Sequence, residues 1–215
     1  MDNMKILSYE PYHIGIKISP ALPMQVLRTK LLPKLRETDY TVDAQDTLAS
    51  NVKMENEVIA TKGDTRIELN YSLTALNTVG NNPLDTTSSF ELLVSLLDKL
   101  GFEMKGVSTS IDIMTNVSVK TETDPTKLIS DSVKCDLSPW KELNQNTNVN
   151  GLKIDLIDDE FGKESLRILV GPSSLSPTSQ LVFSIRYLHL EPEPIVSFGK
   201  SLESKITKFA QSFGA

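Results

Sequence analysis

The sequence has almost no cysteine and no long apolar run, and proteins held by disulfides, cysteine-ligated metal sites or membrane spans depend on these features. Its 215 residues include one cysteine, Cys135, so the chain can form neither an internal disulfide nor a multi-cysteine metal site. No apolar run approaches the roughly 20 residues that span a bilayer. The first residues also lack the basic and apolar regions of a secretory signal. We therefore expect a cytoplasmic protein with no membrane span.

Basic residues are also fewer than acidic residues. The chain has 22 basic and 28 acidic residues, which gives a formal net charge of −6. Such a charge repels a phosphate backbone on average, although a local basic patch is compatible with it. The composition therefore makes nucleic acid a less favoured partner than protein.

The clearest pattern that is present lies near the middle of the chain, from Val107 to Val119. Apolar or β-branched residues occupy every second position, and Ser, Asp, Asn and Lys occupy most of the others, with Met114 as the one apolar exception. Because successive side chains of a strand point to opposite faces, this alternation predicts one long strand with a buried face and a polar face.

Before this strand, the sequence predicts a strand, a helix, a hairpin and a second helix. The helix after Pro23 has an apolar side and contains Pro33, which we expect to kink it or end it early. The second helix is expected to begin at Ser88, where Glu91 three residues on completes a capping box. Residues 37–56 are the least readable stretch. Short alternations such as Val52 and Met54 suggest strands there, and the order of the stretch is left open. The predicted strands and this helix are Tyr12–Ile18, Val58–Thr61, Arg66–Leu76 and Ser88–Leu100, with a loop from Asn77 to Asp85.

After the central strand, a similar order follows. Asp124 and Pro125 are typical of a helix start. Three strands and a long C-terminal helix are then predicted at Leu152–Ile157, Leu166–Val170, Leu181–Leu190 and Pro194–Phe213.

The two series of elements predict an internal duplication. Ile16 aligns with Val117, an offset of 101 residues (117 − 16), and Phe90 aligns with Phe198. We therefore predict an α+β fold with two similar halves, residues 1–102 and 103–215, packed as a single pseudo-symmetric unit. A mostly antiparallel sheet would be backed by the two long helices.

A strand–helix–strands–helix unit used twice resembles two known architectures. One is the saddle of the TATA-binding protein, and the other is the helix-grip fold of START-type lipid carriers, in which a curved sheet wraps a long C-terminal helix. The resemblance concerns the order of elements over most of the chain. It implies a sheet backed by helices, and it leaves function open, because one fold serves many functions.

Candidate catalytic and ligand-binding residues are few. Gly199-Lys200-Ser201 looks like the end of a phosphate loop, but Pro194 stands where that pattern needs a glycine. Ser197 and Lys200 match the spacing of a nucleophile pair that many helices contain by chance. His13 and His189 lie on predicted strands, for which surface or structural roles are favoured. We therefore predict no catalytic residue, no metal and no cofactor, and an enzyme is the least supported class.

The leading prediction is a non-enzymatic binding or assembly protein. It would act through a polar sheet face, a sheet edge or the C-terminal helix, with a protein partner or a second copy of itself in a homodimer. The first alternative is a carrier of a small apolar ligand, held in a cavity lined by Leu97, Phe198, Leu202 and Phe209. The second is a nucleic-acid binder, on whose sheet face five basic residues would converge: Lys17, Lys53, Arg66, Lys120 and Arg186.

Overall fold

The computed structural model describes residues 5–20, 22–42, 56–104, 108–133, 151–157 and 164–213. These residues form eight strands and four helices. The strands are β1 (Lys5–Ile18), β2 (Asn56–Lys62), β3 (Thr65–Asn70), β4 (Ala75–Gly80), β5 (Ser108–Lys120), β6 (Leu152–Ile157), β7 (Ser165–Pro172) and β8 (Gln180–His189). The helices are α1 (Met24–Arg36), α2 (Pro83–Lys99), α3 (Pro125–Ser132) and α4 (Pro192–Ser212).

All eight strands belong to one antiparallel sheet, with the order β2-β3-β4-β1-β5-β8-β7-β6. The two longest strands, β1 and β5, pair at its centre, where Ile14 lies opposite Ile113. The α+β class and the antiparallel sheet are thus confirmed. On each side of the central pair, the strands that follow in the chain fill the sheet in the same order.

The alternation along β5 is confirmed residue by residue. Its buried side chains are Ile111, Ile113, Thr115, Val117 and Val119. Met114 lies on the other face with 40% of its surface exposed. One face of the sheet is therefore apolar along its centre, and it must be covered for the chain to fold.

The helices supply that cover. Helix α2 packs on β1 and β4, α4 packs on β5 and β8, and the two helices pack on each other. Residues from all four helices and from one face of the strands form a single apolar core. The helices therefore lie on the apolar side of the sheet, as the two-layer prediction requires.

The predicted strand Arg66–Leu76 and the loop Asn77–Asp85 are wrong. The chain turns between β3 and β4, because the Asn70 side-chain oxygen accepts a hydrogen bond from the Leu73 backbone N–H. Thr74 takes a positive φ of 52°, which a continuing strand does not allow. Residues 75–80 then form β4, and the residues assigned to a loop provide the strand next to β1.

Helix boundaries also differ from the prediction. Helix α2 begins at Pro83 rather than Ser88, with Asn82 as its cap. Helix α4 begins at Pro192, two residues before the predicted Pro194. Helix α1 continues past Pro33 to Arg36. Proline fits the first turn of α2 and α4 because the missing N–H has no partner in the helix there.

Helices α2 and α4 approach each other closely at Gly199. A Cβ atom at this position would lie 2.8 Å from the Tyr12 hydroxyl oxygen and still closer to Thr87 Oγ1. Gly199 therefore belongs to the contact between the two helices and the sheet. This explains a glycine in the middle of a helix, where it otherwise costs about 1 kcal/mol relative to alanine.

Candidate binding face

The face of the sheet opposite the helices is the candidate site, and we call it the open face. Along β5 its side chains are those of Ser110, Asp112, Met114, Asn116 and Ser118, all exposed or half-buried. Strand alternation places their cross-strand neighbours on the same side. None of the described helices covers this face, and Met114, Asn116 and Lys120 on it are exposed.

Four of the five basic residues predicted to converge do lie on the open face. Arg186 is directly opposite Met114, and Lys17 is opposite Ser110. Arg66 lies opposite Val79, which in turn lies opposite His13. Lys120 continues the open side of β5, and Lys53 lies outside the described residues.

The open face carries more positive than negative charge, in contrast to the chain as a whole. The register of the described strands places seven basic and four acidic side chains on it: Lys5, Lys17, Arg66, Lys120, Lys153, Arg167, Arg186, Glu10, Glu68, Asp112 and Asp155. Arg167 and Lys153 were not among the predicted residues. Their alternation within Leu166–Val170 and Leu152–Ile157 could have identified them.

Most of the acidic residues on the open face are paired with these cations. Arg186 lies 3.1 Å from Asp112, Arg66 pairs with Glu68, and Asp155 binds both Arg167 and Lys153 at 2.7 Å. The hydrogen bonds from Lys153 and Arg167 lower the pKa of Asp155 below its usual value. The arginines are therefore held in defined positions while about half of each side chain stays exposed.

A cluster of polar side chains closes over Gly15 at the centre of the open face. A Cβ atom at Gly15 would come within 3.0 Å of Asp112 Oδ1 and 3.1 Å of Asn77 Oδ1 and His13 Cε1. Within the described structure, Asn77 Oδ1 and His13 Nδ1 are buried without a hydrogen-bond partner. Asn77 was not among the predicted site residues because the sequence predicted a loop from Asn77 to Asp85.

Next to this cluster, a groove of about 370 Å³ runs across β1, β5, β8 and β7. His13 and Met114 line one end, and Arg167 and Arg186 line the other. Ser184 Oγ and Asn116 Oδ1 share a 2.6 Å hydrogen bond along it. Glu10 also lines the groove, which therefore combines cationic, anionic, neutral polar and apolar groups.

The four residues predicted to line an apolar cavity lie in or against the core instead. Leu97 and Leu202 have no exposed surface. Phe198 stacks on Tyr187 with ring centroids 4.3 Å apart, and Phe209 contacts the Phe183 ring edge-on at 5.7 Å. Side chains of the sheet and of α4 thus occupy the space around these residues.

The remaining candidate residues do not come together. His13 is on the open face, whereas His189 lies opposite Ile111 at the end of β8, so the two histidines project to opposite sides of the sheet. Lys200 lies inside α4 and binds Glu91 at 2.8 Å. Among the described residues, no cluster of His, Cys, Asp and Glu could hold a metal ion.

A second groove, of about 1230 Å³, lies on the helix side between α2 and α4. Its charged residues are mainly acidic: Glu91, Asp98, Glu103, Glu191 and Glu193, with Lys200. The described surface is thus divided between a basic open face and an acidic groove on the helix side.

No protein-family model, curated protein or solved structure matches this chain. None of the described helices has the length and apolar character needed to cross a membrane.

Proposed function

We propose that this chain is a non-enzymatic binding protein that receives a protein partner on its open face. The proposal rests on one observation: the described helices cover only one face of the sheet. Eight strands bury one face under helices and leave the other with polar, basic and scattered apolar side chains, among which Met114 and Leu169 are 40% and 44% exposed. Such a mixture is typical of protein–protein interfaces, which are about as apolar as the remaining surface.

The charges on the open face favour an acidic surface or segment of the partner. Lys17 and Lys120 form no ion pair within the described structure and are exposed. An excess of cations on this face, in a chain of net charge −6, steers an anionic surface toward it.

Nucleic acid is an alternative partner for this face, because the same cations would attract phosphates. The described part of the open face has no Phe, Tyr or Trp side chain on which a base could stack. Four acidic side chains also offset its cations. Both features favour a protein.

The carrier alternative depends on the space between α4 and the sheet, and the homodimer depends on the sheet edges. The aromatic contacts between α4 and the sheet occupy the region where an apolar ligand would lie, so no observation favours a carrier. A homodimer through a sheet edge would use β2 or β6, which are the outermost strands of the sheet.

We also infer that the chain is an internal duplication, and matching buried positions support this. Met24, Leu27 and Arg28 of α1 and Pro125, Leu128 and Ile129 of α3 are buried at an offset of 101 residues (125 − 24). Buried positions of α2 and α4 match at an offset of 109 (195 − 86), one more than the Phe90–Phe198 alignment assumed. The pairs are Thr86 with Ile195, Ser89 with Phe198, Phe90 with Gly199, Leu93 with Leu202, and Leu97 with Ile206.

This arrangement bears on the two architectural resemblances. The pairing of β1 with β5 at the centre, with the same strand order outward on both sides, supports a saddle of two similar halves. We therefore favour the TATA-binding-protein-like arrangement over the helix grip. The single cysteine fits a cytoplasmic site of action.

Native mass spectrometry of the protein purified from its own source tests the proposed function. The wild type should carry a protein partner, and a Lys17→Glu/Lys120→Glu variant should lose it. The matched control is Lys99→Glu/Lys127→Glu, which makes the same charge change at exposed positions of α2 and α3. A bound nucleic acid, a bound small molecule or equal loss in both variants would contradict the proposal.

A further inference from the structure

Two arginines face each other across neighbouring strands of the open face. Arg167 of β7 and Arg186 of β8 are direct cross-strand partners, and both line the 370 Å³ groove. Like charges directly opposite each other in a sheet are unfavourable. This pair therefore needs a compensating charge, or it serves to attract one.

Three cations share two aspartates here, because Asp155 also binds Lys153, so the cluster keeps one positive charge in excess. Arg167 Nε donates to Asp155 Oδ1 at 2.7 Å, and Arg186 donates to Asp112 Oδ2 at 3.1 and 3.3 Å. Each aspartate lies on a different neighbouring strand, so the two guanidinium groups are anchored separately. A guanidinium has five N–H donors, so each arginine has further donors to offer. Both side chains are also about half exposed.

The other polar groups of the groove differ between its two sides. Glu10 of β1 lies opposite Asn116 and would repel an anion on that side. His13 lines the groove, and its Nδ1 is buried without a hydrogen-bond partner in the described structure. Ser184 and Asn116 add neutral polar groups. The buried Oδ1 of Asn77 beside Gly15 is an acceptor and cannot hold an anion, which places the site on the arginine side of His13.

We propose that this groove binds an oxyanion, a carboxylate or a phosphate group, between Arg167 and Arg186. Arginine binds both groups through paired N–H donors in a planar fork. The inference deepens the proposed function, because it names the chemistry by which the open face would recognise an acidic group of the partner.

The other half of the sheet provides an internal control. Arg66 lies 101 residues before Arg167 (167 − 66), is also exposed and also has an acidic partner, Glu68. Its neighbour on β4 is Val79 rather than a second arginine. The two halves thus present one single arginine and one arginine pair, and only the pair should bind the anion.

The experiment is an NMR titration of the full chain at constant ionic strength, with inorganic phosphate and with succinate as separate probes. The Nε–H signals of Arg167 and Arg186 should shift and saturate with either probe, while the signal of Arg66 should not. Arg186→Gln and Arg167→Gln should each weaken binding about tenfold, as expected for loss of a charge-assisted pair. Arg66→Gln should leave binding unchanged.

Shifts that fail to saturate, or that are equal at all three arginines, would show general charge screening and overturn the proposal. Saturation that persists in Arg186→Gln would overturn it too. If the site binds, tighter binding of succinate than of phosphate indicates a carboxylate source, and the reverse indicates a phosphate source. Because the titration uses protein without its partner, it can fail while partner binding by Lys17 and Lys120 persists. Conversely, the titration can succeed while the Lys17→Glu/Lys120→Glu variant keeps its partner.

Discussion

Arg28 of α1 and Glu57 of β2 form an ion pair inside the protein, with 2.7 Å between a terminal guanidinium nitrogen and Oε1. The side chains are 2% and 8% exposed. Tyr71 donates a 2.6 Å hydrogen bond to the other carboxylate oxygen. Burial alone would raise the pKa of Glu57, but the hydrogen bonds from Arg28 and Tyr71 outweigh it and hold that pKa below its usual value. The carboxylate is therefore charged in the folded protein.

The second half of the chain suggests how this pair could be replaced. Ile129 stands 101 residues after Arg28. Glu57 pairs with Leu69 on β3, and Leu152 pairs with Val170 on β7. Under the proposed duplication, in which Leu69 and Val170 also match at an offset of 101 residues (170 − 69), Leu152 takes the place of Glu57. We expect Arg28→Ile alone to lower the free energy of unfolding by about 3–5 kcal/mol, because it leaves a buried carboxylate unpaired.

The double variant Arg28→Ile/Glu57→Leu should recover this loss, because replacing both members of a buried pair by apolar residues is often neutral or stabilising. Urea unfolding at neutral pH measures both variants. A double variant as unstable as Arg28→Ile would contradict the correspondence between the two halves.

The five tyrosines predict how stability changes at high pH. Burial is the main cause that raises the pKa of Tyr9, Tyr12, Tyr40, Tyr71 and Tyr187 above 10, to about 12 for Tyr9 and Tyr12. In the unfolded chain these phenols lose their protons near pH 10. Unfolding therefore releases protons above that pH, and the free energy of unfolding should fall as pH rises.

Ultraviolet titration of phenolate checks this expectation. The folded protein should show little phenolate at pH 10, and the same titration in urea should show a midpoint of about 10. Half-ionised tyrosine in the folded protein at pH 10 would contradict it.

The hydrophobic periodicity of the sequence predicted those features of the fold that depend only on which face of a single strand or helix is buried. The alternation of β5 was predicted correctly because burial on one side of a strand imposes a period of two residues. The turn at Asn70 was missed because it depends on one side-chain hydrogen bond and one positive φ. Neither leaves a hydrophobic period.

The candidate site was predicted only in part for a related reason. Strand parity placed Lys17, Arg66, Lys120 and Arg186 on one face. Which of them are neighbours depends on register between strands far apart in the chain, such as the pairing of Arg167 with Arg186. The polar cluster over Gly15 likewise depends on Asn77 and Asp112, which come from strands on either side of β1.

The start of α2 gives a direct comparison of two caps. Asn82 Oδ1 accepts hydrogen bonds from the backbone N–H groups of Leu84 and Asp85, at 2.9 and 3.2 Å. Ser88 is exposed inside the helix and donates to the Leu84 carbonyl. We expect Asn82→Ala to lower the free energy of unfolding by about 1 kcal/mol and Ser88→Ala to change it by less than about 0.5 kcal/mol. Equal effects of the two substitutions in thermal or urea unfolding would contradict the assignment of Asn82 as the cap of α2.

The close contact of α2 with α4 predicts an unusual response to alanine. Gly199→Ala should destabilise the protein by about 1–3 kcal/mol, because the added methyl group collides with Thr87 and Tyr12. This cost exceeds the gain of about 1 kcal/mol in helix propensity. Adding Thr87→Ala removes the nearest atoms and should restore part of the loss. A stabilised single variant would mean that the helices separate easily.

The most direct test of the open face as the binding surface is site-specific photo-crosslinking in cells of the source organism. One variant carries the crosslinker at Met114, in the centre of the open face, and its control carries it at Lys99 on α2. The account predicts that Met114 crosslinks to a discrete protein partner and that Lys99 does not. Crosslinking of the same partner from Lys99 alone, or of nucleic acid from Met114, would contradict it.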